Sequence, residues 1–194
     1  MNYLAHLYLS GTNEDVLIGN FMADSIKGSQ YKDYSSAIQR GILLHRQIDS
    51  HTDTHPSFRL STKRLHKNYS HYSGVIVDIF FDHFLAKNWT DYASISLEDY
   101  AQKCYLILNK NIAIMPEKAQ HILPNMIKGN WLLSYASVEG ISNVLSGMNR
   151  RTNGRSGMDK ASFELEQYYL EFEADFKIVF EDVMQMSKTF LSAS

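Results

Sequence analysis

The stretch Val75-Ile76-Val77-Asp78-Ile79-Phe80-Phe81-Asp82-His83-Phe84-Leu85 decides the class of fold. Wound as a helix it is apolar on every side, and a helix without a polar face must be buried on every side. It therefore calls for a shell of other helices, and the flanking sequence supplies them. Phe58 to Asn68 is a basic amphipathic stretch just upstream, and Tyr72 to Trp89 frames the apolar segment itself. Further upstream, Thr12 followed by Asp15 gives a capping-box-like start to a helix that keeps its apolar spacing to Ile26, with Gly28 as its stop. Ser35 or Ser36 caps a second helix through Gly41 to about Asp49, which Thr52-Asp53-Thr54-His55-Pro56 breaks.

Downstream, Ser96-Leu97-Glu98-Asp99 opens a helix to about Lys110, Pro116 opens another that Pro124 ends or kinks, and Ser137 starts one through Val144 and Leu145. Gly147 to Gly157 reads as a flexible basic loop. From Asp159 to Leu191 there is neither proline nor glycine, and Phe163, Leu165, Tyr169, Phe172, Phe176, Val179, Phe180 and Val183 recur near the helical period, which predicts one long packing helix. No segment alternates polar and apolar residues, and no repeat is visible. The expectation is an all-α, single-domain helical bundle over residues 1–194.

Composition narrows the function classes. With 44% hydrophobic and 21% charged residues the chain is an ordinary folding sequence. A net charge of -2 gives no general basic field, so no nucleic-acid partner is expected. No apolar run approaches the roughly 20 residues that span a bilayer, so no membrane is expected either. The start, Met1 to Leu9, lacks the basic region and cleavage site of a signal peptide, and the single cysteine, Cys104, sits in an apolar stretch. A cytoplasmic location follows as an expectation.

Charge inside the apolar pattern marks the candidate site. Asp78 and Asp82 lie four residues apart on the buried segment, with His83 beside them. An uncompensated buried carboxylate costs several kcal/mol, so something positive or a shared proton must face these two, and a divalent cation does so efficiently. His45 and Asp49 repeat the spacing, as do Asn20 and Asp24, and His6 is a further candidate ligand. Imidazole and carboxylate on one helical face are the donor set of Mn²⁺, Fe²⁺ or Zn²⁺ hydrolase centres. The competing reading of each pair is a structural ion pair with Arg40, Arg46 or Lys27. His51 and His55 read as solvated or substrate-side groups, and His66, His71 and His121 show no pattern. Walker loops, nucleophile elbows, Cys-x-x-Cys pairs and Glu-x-x-His pairs are all missing from the sequence.

Several segments together resemble the bacterial acyl carrier protein phosphodiesterase family, a distant branch of the HD phosphohydrolases. They are Met1-Asn2-Tyr3-Leu4-Ala5-His6-Leu7, Gly19-Asn20-Phe21-Met22-Ala23-Asp24 through Lys27-Gly28, Gly41-Ile42 with His45-Arg46-x-Ile48-Asp49-x-x-Thr52-Asp53, Asp78-x-x-x-Asp82-His83-Phe84-Leu85, Trp131-Leu132, and Ile141-x-x-Val144-Leu145-x-Gly147-Met148. The resemblance implies an HD-like helical fold, a divalent metal such as Mn²⁺ or Mg²⁺, and hydrolysis of the phosphodiester that joins 4'-phosphopantetheine to the serine of holo-acyl carrier protein. It departs from the usual HD pattern in one respect, since Asp82-His83 reverses the order of acid and imidazole.

On both lines of reasoning the expected ligands are His45, Asp49 and Asp82, with Asp78 and His6 completing the shell or a second position. Asp24, His83 and Arg46 are the expected catalytic groups, His83 as general acid and Arg46 against the phosphoryl charge. Asn20 is expected on the substrate side. Arg59, Lys63, Arg64 and Lys67 are the preferred docking cations for an acidic carrier, ahead of Arg150, Arg151 and Arg155. The rival readings are an HD-type phosphohydrolase of nucleotides or small phosphodiesters, and a helical binding protein without catalysis.

Overall fold

In the computed structural model, which describes residues 1–193, the apolar stretch forms the central helix of an all-α bundle, and no strand occurs among the described residues. In chain order the helices are α1 (Tyr3–Leu9), α2 (Glu14–Met22), α3 (Ser36–Thr54), α4 (Pro56–Tyr69), α5 (Ser73–Lys87) and α6 (Leu97–Lys110). They are followed by α7 (Glu117–Lys128), α8 (Trp131–Ser134), α9 (Val138–Arg151), α10 (Ser162–Gln167) and α11 (Tyr169–Ser192). On α5, Ile76, Val77, Ile79, Phe80, Phe81, Phe84 and Leu85 are all completely buried. Phe81 packs against Phe58 of α4 and Phe176 of α11, and Phe80 against Phe172 of α11, so α4 and α11 form two of its walls. Among the described residues no helix is long and apolar enough to cross a membrane.

Helix ends differ from the sequence reading in instructive ways. Asn13, not Thr12, caps α2 by accepting the Val16 N–H at 3.1 Å, and the helix gives way to a 3-10 turn at Ala23–Ser25. α3 runs on to Thr54, whose Oγ1 donates back to the Ser50 carbonyl at 2.9 Å. The true stop is Pro56, which forces His55 into an extended conformation (φ -67°, ψ 131°). Pro124 lies inside α7 without ending it, since the turn beyond closes through Gly129 N–H to Asn125 O at 3.0 Å. α9 carries straight through Gly147 to Arg151, so the first part of the expected basic loop is helix. The remainder is tied down: the Asn149 amide oxygen accepts from Ser156 Oγ at 2.8 Å and from Gly157 N–H at 3.0 Å. The long C-terminal helix is divided at Tyr168 into α10 and α11, preceded by a 3-10 turn at Met158–Lys160.

One packing contact sets up the site. A Cβ on Gly19 would lie 2.1 Å from the Ile38 carbonyl oxygen, and a Cβ on Gly41 would lie 2.1 Å from the Val16 carbonyl oxygen. α2 and α3 therefore cross backbone to backbone, closer than any side chain allows. Asn20 follows one of these glycines directly and His45 sits one turn beyond the other, so the crossing presses the two residues together.

Candidate metal centre

Three helices deliver the cluster. α1 supplies His6, α2 supplies Asn20, and α3 supplies His45 and Asp49 one turn apart on a single face. The two imidazoles stack with centroids 4.0 Å apart. Asn20 is completely buried behind them and its amide has only one sensible orientation. Its nitrogen donates to the His6 carbonyl and to Ser10 Oγ, both at 2.9 Å, so its oxygen must face the rings. That oxygen lies 2.9 Å from His6 Nδ1 and 3.0 Å from His45 Nδ1, and the Asn20 carbonyl lies 2.9 Å from His45 Nδ1 as well. Carbonyl oxygens only accept, so both Nδ1 atoms carry hydrogen, and Nε2 is the nitrogen on each ring that a metal ion would take.

Both Nε2 atoms converge on Asp49. His6 Nε2 is 3.1 Å from one carboxylate oxygen and His45 Nε2 is 3.1 Å from the other, while Asp24 Oδ1 approaches His45 Nε2 from the solvent side at 3.3 Å. One donor atom from each of His6, His45 and Asp49 lies within 4.8 Å of the others. Two tautomer-fixed imidazoles and a carboxylate fit a divalent transition-metal ion, and the shared amide oxygen behind them is the outer partner that such ligands require. Burial pulls His45 down, but the carboxylates of Asp24 and Asp49 outweigh it and hold this residue up at about 9. Burial, with His45 stacked against it, drives His6 down to about 4. Burial pushes Asp49 up, yet the two imidazoles win and leave it below the usual carboxylate range.

Asn20, expected on the substrate side, lines the cavity and also holds both imidazoles through its side-chain oxygen. Asn20→Ala is expected to weaken Mn²⁺ binding about 10- to 100-fold and to cost about 1–3 kcal/mol of stability, because buried ring N–H groups lose their acceptor. Calorimetric titration with Mn²⁺ and thermal melting of the metal-free protein check both figures.

The cluster opens into a cavity of about 840 Å³. Asp24 and Asp78 also face it, but other expected residues do not. Asp82 is completely buried and its carboxylate accepts three backbone N–H groups at the start of α1, from Asn2 (3.1 Å), Leu4 (2.7 Å) and Ala5 (3.3 Å). Burial pushes it up to about 7 against the pull of the N-terminal ammonium and these donors. Asp78 pairs with the Met1 ammonium. The positive partner that the two α5 carboxylates need is therefore the N-terminal segment, whose helix end presents N–H groups and the positive end of its dipole. Asp82 secures α1, and through α1 it secures His6. Asp82→Ala is expected to lower stability by about 3 kcal/mol, since buried donors lose their acceptor, while Mn²⁺ affinity falls far less than on loss of Asp49. Chemical denaturation and metal titration on the one variant separate the two effects.

Other expectations are corrected in the same way. His83 is buried between the Tyr135 carbonyl (2.7 Å from Nδ1) and the Tyr169 hydroxyl (2.7 Å from Nε2), so both ring nitrogens are engaged away from the cavity, and burial lowers its affinity for a second proton. Arg46 donates to the carbonyls of Gly28 (2.9 Å) and Ile26 (3.1 Å) and lies over the Tyr31 ring, so it ties down the loop after α2 and meets neither an aspartate nor the cavity. On α4, Arg64 is spent on the buried Asp175 and Arg59 donates to the Asp53 carbonyl at 3.3 Å; none of Arg59, Lys63, Arg64 or Lys67 lines the cavity. Arg150 and Arg151 do line it, together with Lys118. The sequence reading passed over Asp53 and Trp131 as cavity residues. Asp53 continues the His45, Asp49 series by one further turn, a signal that was available; His71 sits in a 3-10 turn that leaves no such trace.

The profile of the family described as acyl carrier protein phosphodiesterase matches residues 1–183. The chain belongs to that family. Among its curated relatives, the acyl carrier protein phosphodiesterase of Photorhabdus laumondii is 34% identical over 91% of this chain and 89% of its own length. The protein of that name from Serratia proteamaculans is 30% identical over 97% of this chain and 98% of its own. The one from Escherichia coli O157:H7 is 28% identical over 91% and 92%. No solved structure matches the chain significantly, so likeness to the HD phosphohydrolases rests on residues alone. Within the family match, three separate segments of the expected resemblance (α1, the end of α2 and the middle of α3) meet at the His6, His45, Asp49 cluster.

Proposed function

We propose that this phosphodiesterase-family member hydrolyses the phosphodiester between 4'-phosphopantetheine and the serine of an acyl carrier protein, in the cytoplasm, with Mn²⁺ or Mg²⁺ held by His6, His45 and Asp49. The single observation that carries the reading is the pair of Nε2 atoms turned by Asn20 toward one carboxylate in the cavity. A divalent cation there supplies charge for the phosphoryl oxygens and lowers the pKa of water. The chain's own residues do the rest. Asn20 keeps both rings in register, and Asp24, with its side chain 65% exposed beside His45, is placed to accept a proton from water. The bond to water oxygen forms as the bond from phosphorus to the serine oxygen breaks, one proton passing to serine. The products are the apo carrier and phosphopantetheine.

The test is to incubate purified protein and Mn²⁺ with holo carrier protein and, separately, with a panel of cyclic and linear nucleotides. Mass spectrometry should find the carrier lighter by one phosphopantetheine and the nucleotides intact. Turnover of nucleotides with an untouched carrier would replace this reading by the small-phosphodiester alternative.

A further inference from the structure

The cavity is charged differently on its two sides. Asp24, Asp49, Asp53 and Asp78 all come from the α2, α3 and α5 side. Its lysine and arginine side chains, Lys118, Arg150 and Arg151, all come from α7 and α9. These three are exposed, and among the described residues no carboxylate lies within 4.0 Å of any of them. Arg150 and Arg151 end α9, where the helix dipole alone favours a cation. The dipole does not explain why they face the cavity, nor why Lys118, in the first turn of α7, does so against its own dipole. Arg151 is also held over the Trp131 ring, at 5.8 Å.

We infer that the α7–α9 rim is the docking face for the carrier protein, receiving the acidic surface around the modified serine. This rests on the function proposed above. The reacting phosphorus must reach His6, His45 and Asp49, so the protein surface carrying it must lie against the cavity mouth. An acidic surface laid on the α2, α3 and α5 side would meet the exposed carboxylates of Asp24 and Asp53; on the α7–α9 side it meets three cations with no carboxylate partner. The α4 helix offers no equivalent, because Arg64 is paired with Asp175 and none of its cations borders the cavity.

The experiment compares the double variant Arg150→Glu/Arg151→Glu with a matched charge change on α4, Lys63→Glu/Lys67→Glu, using holo carrier protein as substrate. All four positions are exposed, and Arg150→Gln/Arg151→Gln serves as a milder version of the first variant. At low salt the Arg150/Arg151 charge reversal is expected to lower kcat/KM at least tenfold, with the loss in KM. The gap to wild type should narrow as salt rises, because screening shortens from about 10 Å at 0.1 M to about 3 Å at 1 M. Selectivity for the carrier over bis(4-nitrophenyl) phosphate should drop by a similar factor, and the α4 variant should stay within twofold of wild type. An equal or larger loss in the α4 variant overturns the assignment, as does a loss in the Arg150/Arg151 variants that ignores salt or lies in kcat. If wild type cleaves the carrier and the Arg150/Arg151 variants match it, the docking face alone is wrong; if wild type leaves the carrier intact, the proposed function falls and the docking face with it.

Discussion

Asp49→Asn is expected to abolish metal-dependent thermal stabilisation and to lower kcat/KM for the carrier by at least about a thousandfold, the scale of losing a catalytic electrostatic centre. The substitution keeps the size of the side chain and removes its charge. It also places a neutral amide opposite the two Nε2 atoms that face Asp49 from 3.1 Å. At a Mn²⁺ concentration of about 100 times Kd the wild-type protein gains about 2.7 kcal/mol by linkage, and the variant should gain close to nothing. The metal-free variant should still fold, because Asp49 is only partly buried and most of the core lies elsewhere. Melting with and without Mn²⁺, alongside the carrier assay, reads all three statements. A variant that keeps its Mn²⁺-induced shift removes Asp49 from the ligand set.

Gly41→Ala is expected to be nearly as damaging although Gly41 touches no ligand. Its new methyl would lie 2.1 Å from the Val16 carbonyl oxygen and 2.9 Å from the Asn20 nitrogen, both backbone atoms that cannot rotate away. α2 and α3 must separate, and overpacking of this kind costs about 3 kcal/mol at the upper end of its usual range. Separation also stretches the 2.9 Å and 3.0 Å contacts between His45 and Asn20, so metal affinity should fall along with stability. Gly74→Ala provides the contrast. That glycine is helical and a Cβ there meets nothing within 4 Å, so stability should be unchanged or rise by up to about 1 kcal/mol. Denaturant unfolding of both variants checks the opposite signs; a Gly41→Ala protein as stable as wild type would mean that the close crossing does not position the site.

The sequence was most readable where the relevant physics is local. His45 and Asp49 share one helix, so their spacing alone places them on one face, and the structure keeps them together. The burial of α5 likewise follows from its own composition. What compensates its carboxylates does not. A cation and the amide end of another helix satisfy a buried aspartate equally well, and the N-terminal segment that occupies Asp78 and Asp82 is more than seventy residues away in the chain. His83 was misread for the same reason, because its partners Tyr135 and Tyr169 lie on later segments. Periodicity also misjudged continuity in both directions. It saw a loop from Gly147 where a helix continues to Arg151, and no break at Tyr168 where one occurs. The first error hid the place of Arg150 and Arg151 on the wall of the cavity.

The central claim is that His6 and His45 together present two imidazole nitrogens to one divalent ion. Pulsed electron paramagnetic resonance of the Mn²⁺-loaded protein tests it directly, since coupling to ligand nitrogen is read without reference to activity. Two histidine nitrogens should couple in wild type and one in His6→Gln. A Mn²⁺ signal from stoichiometrically bound ion with no nitrogen coupling would contradict the account.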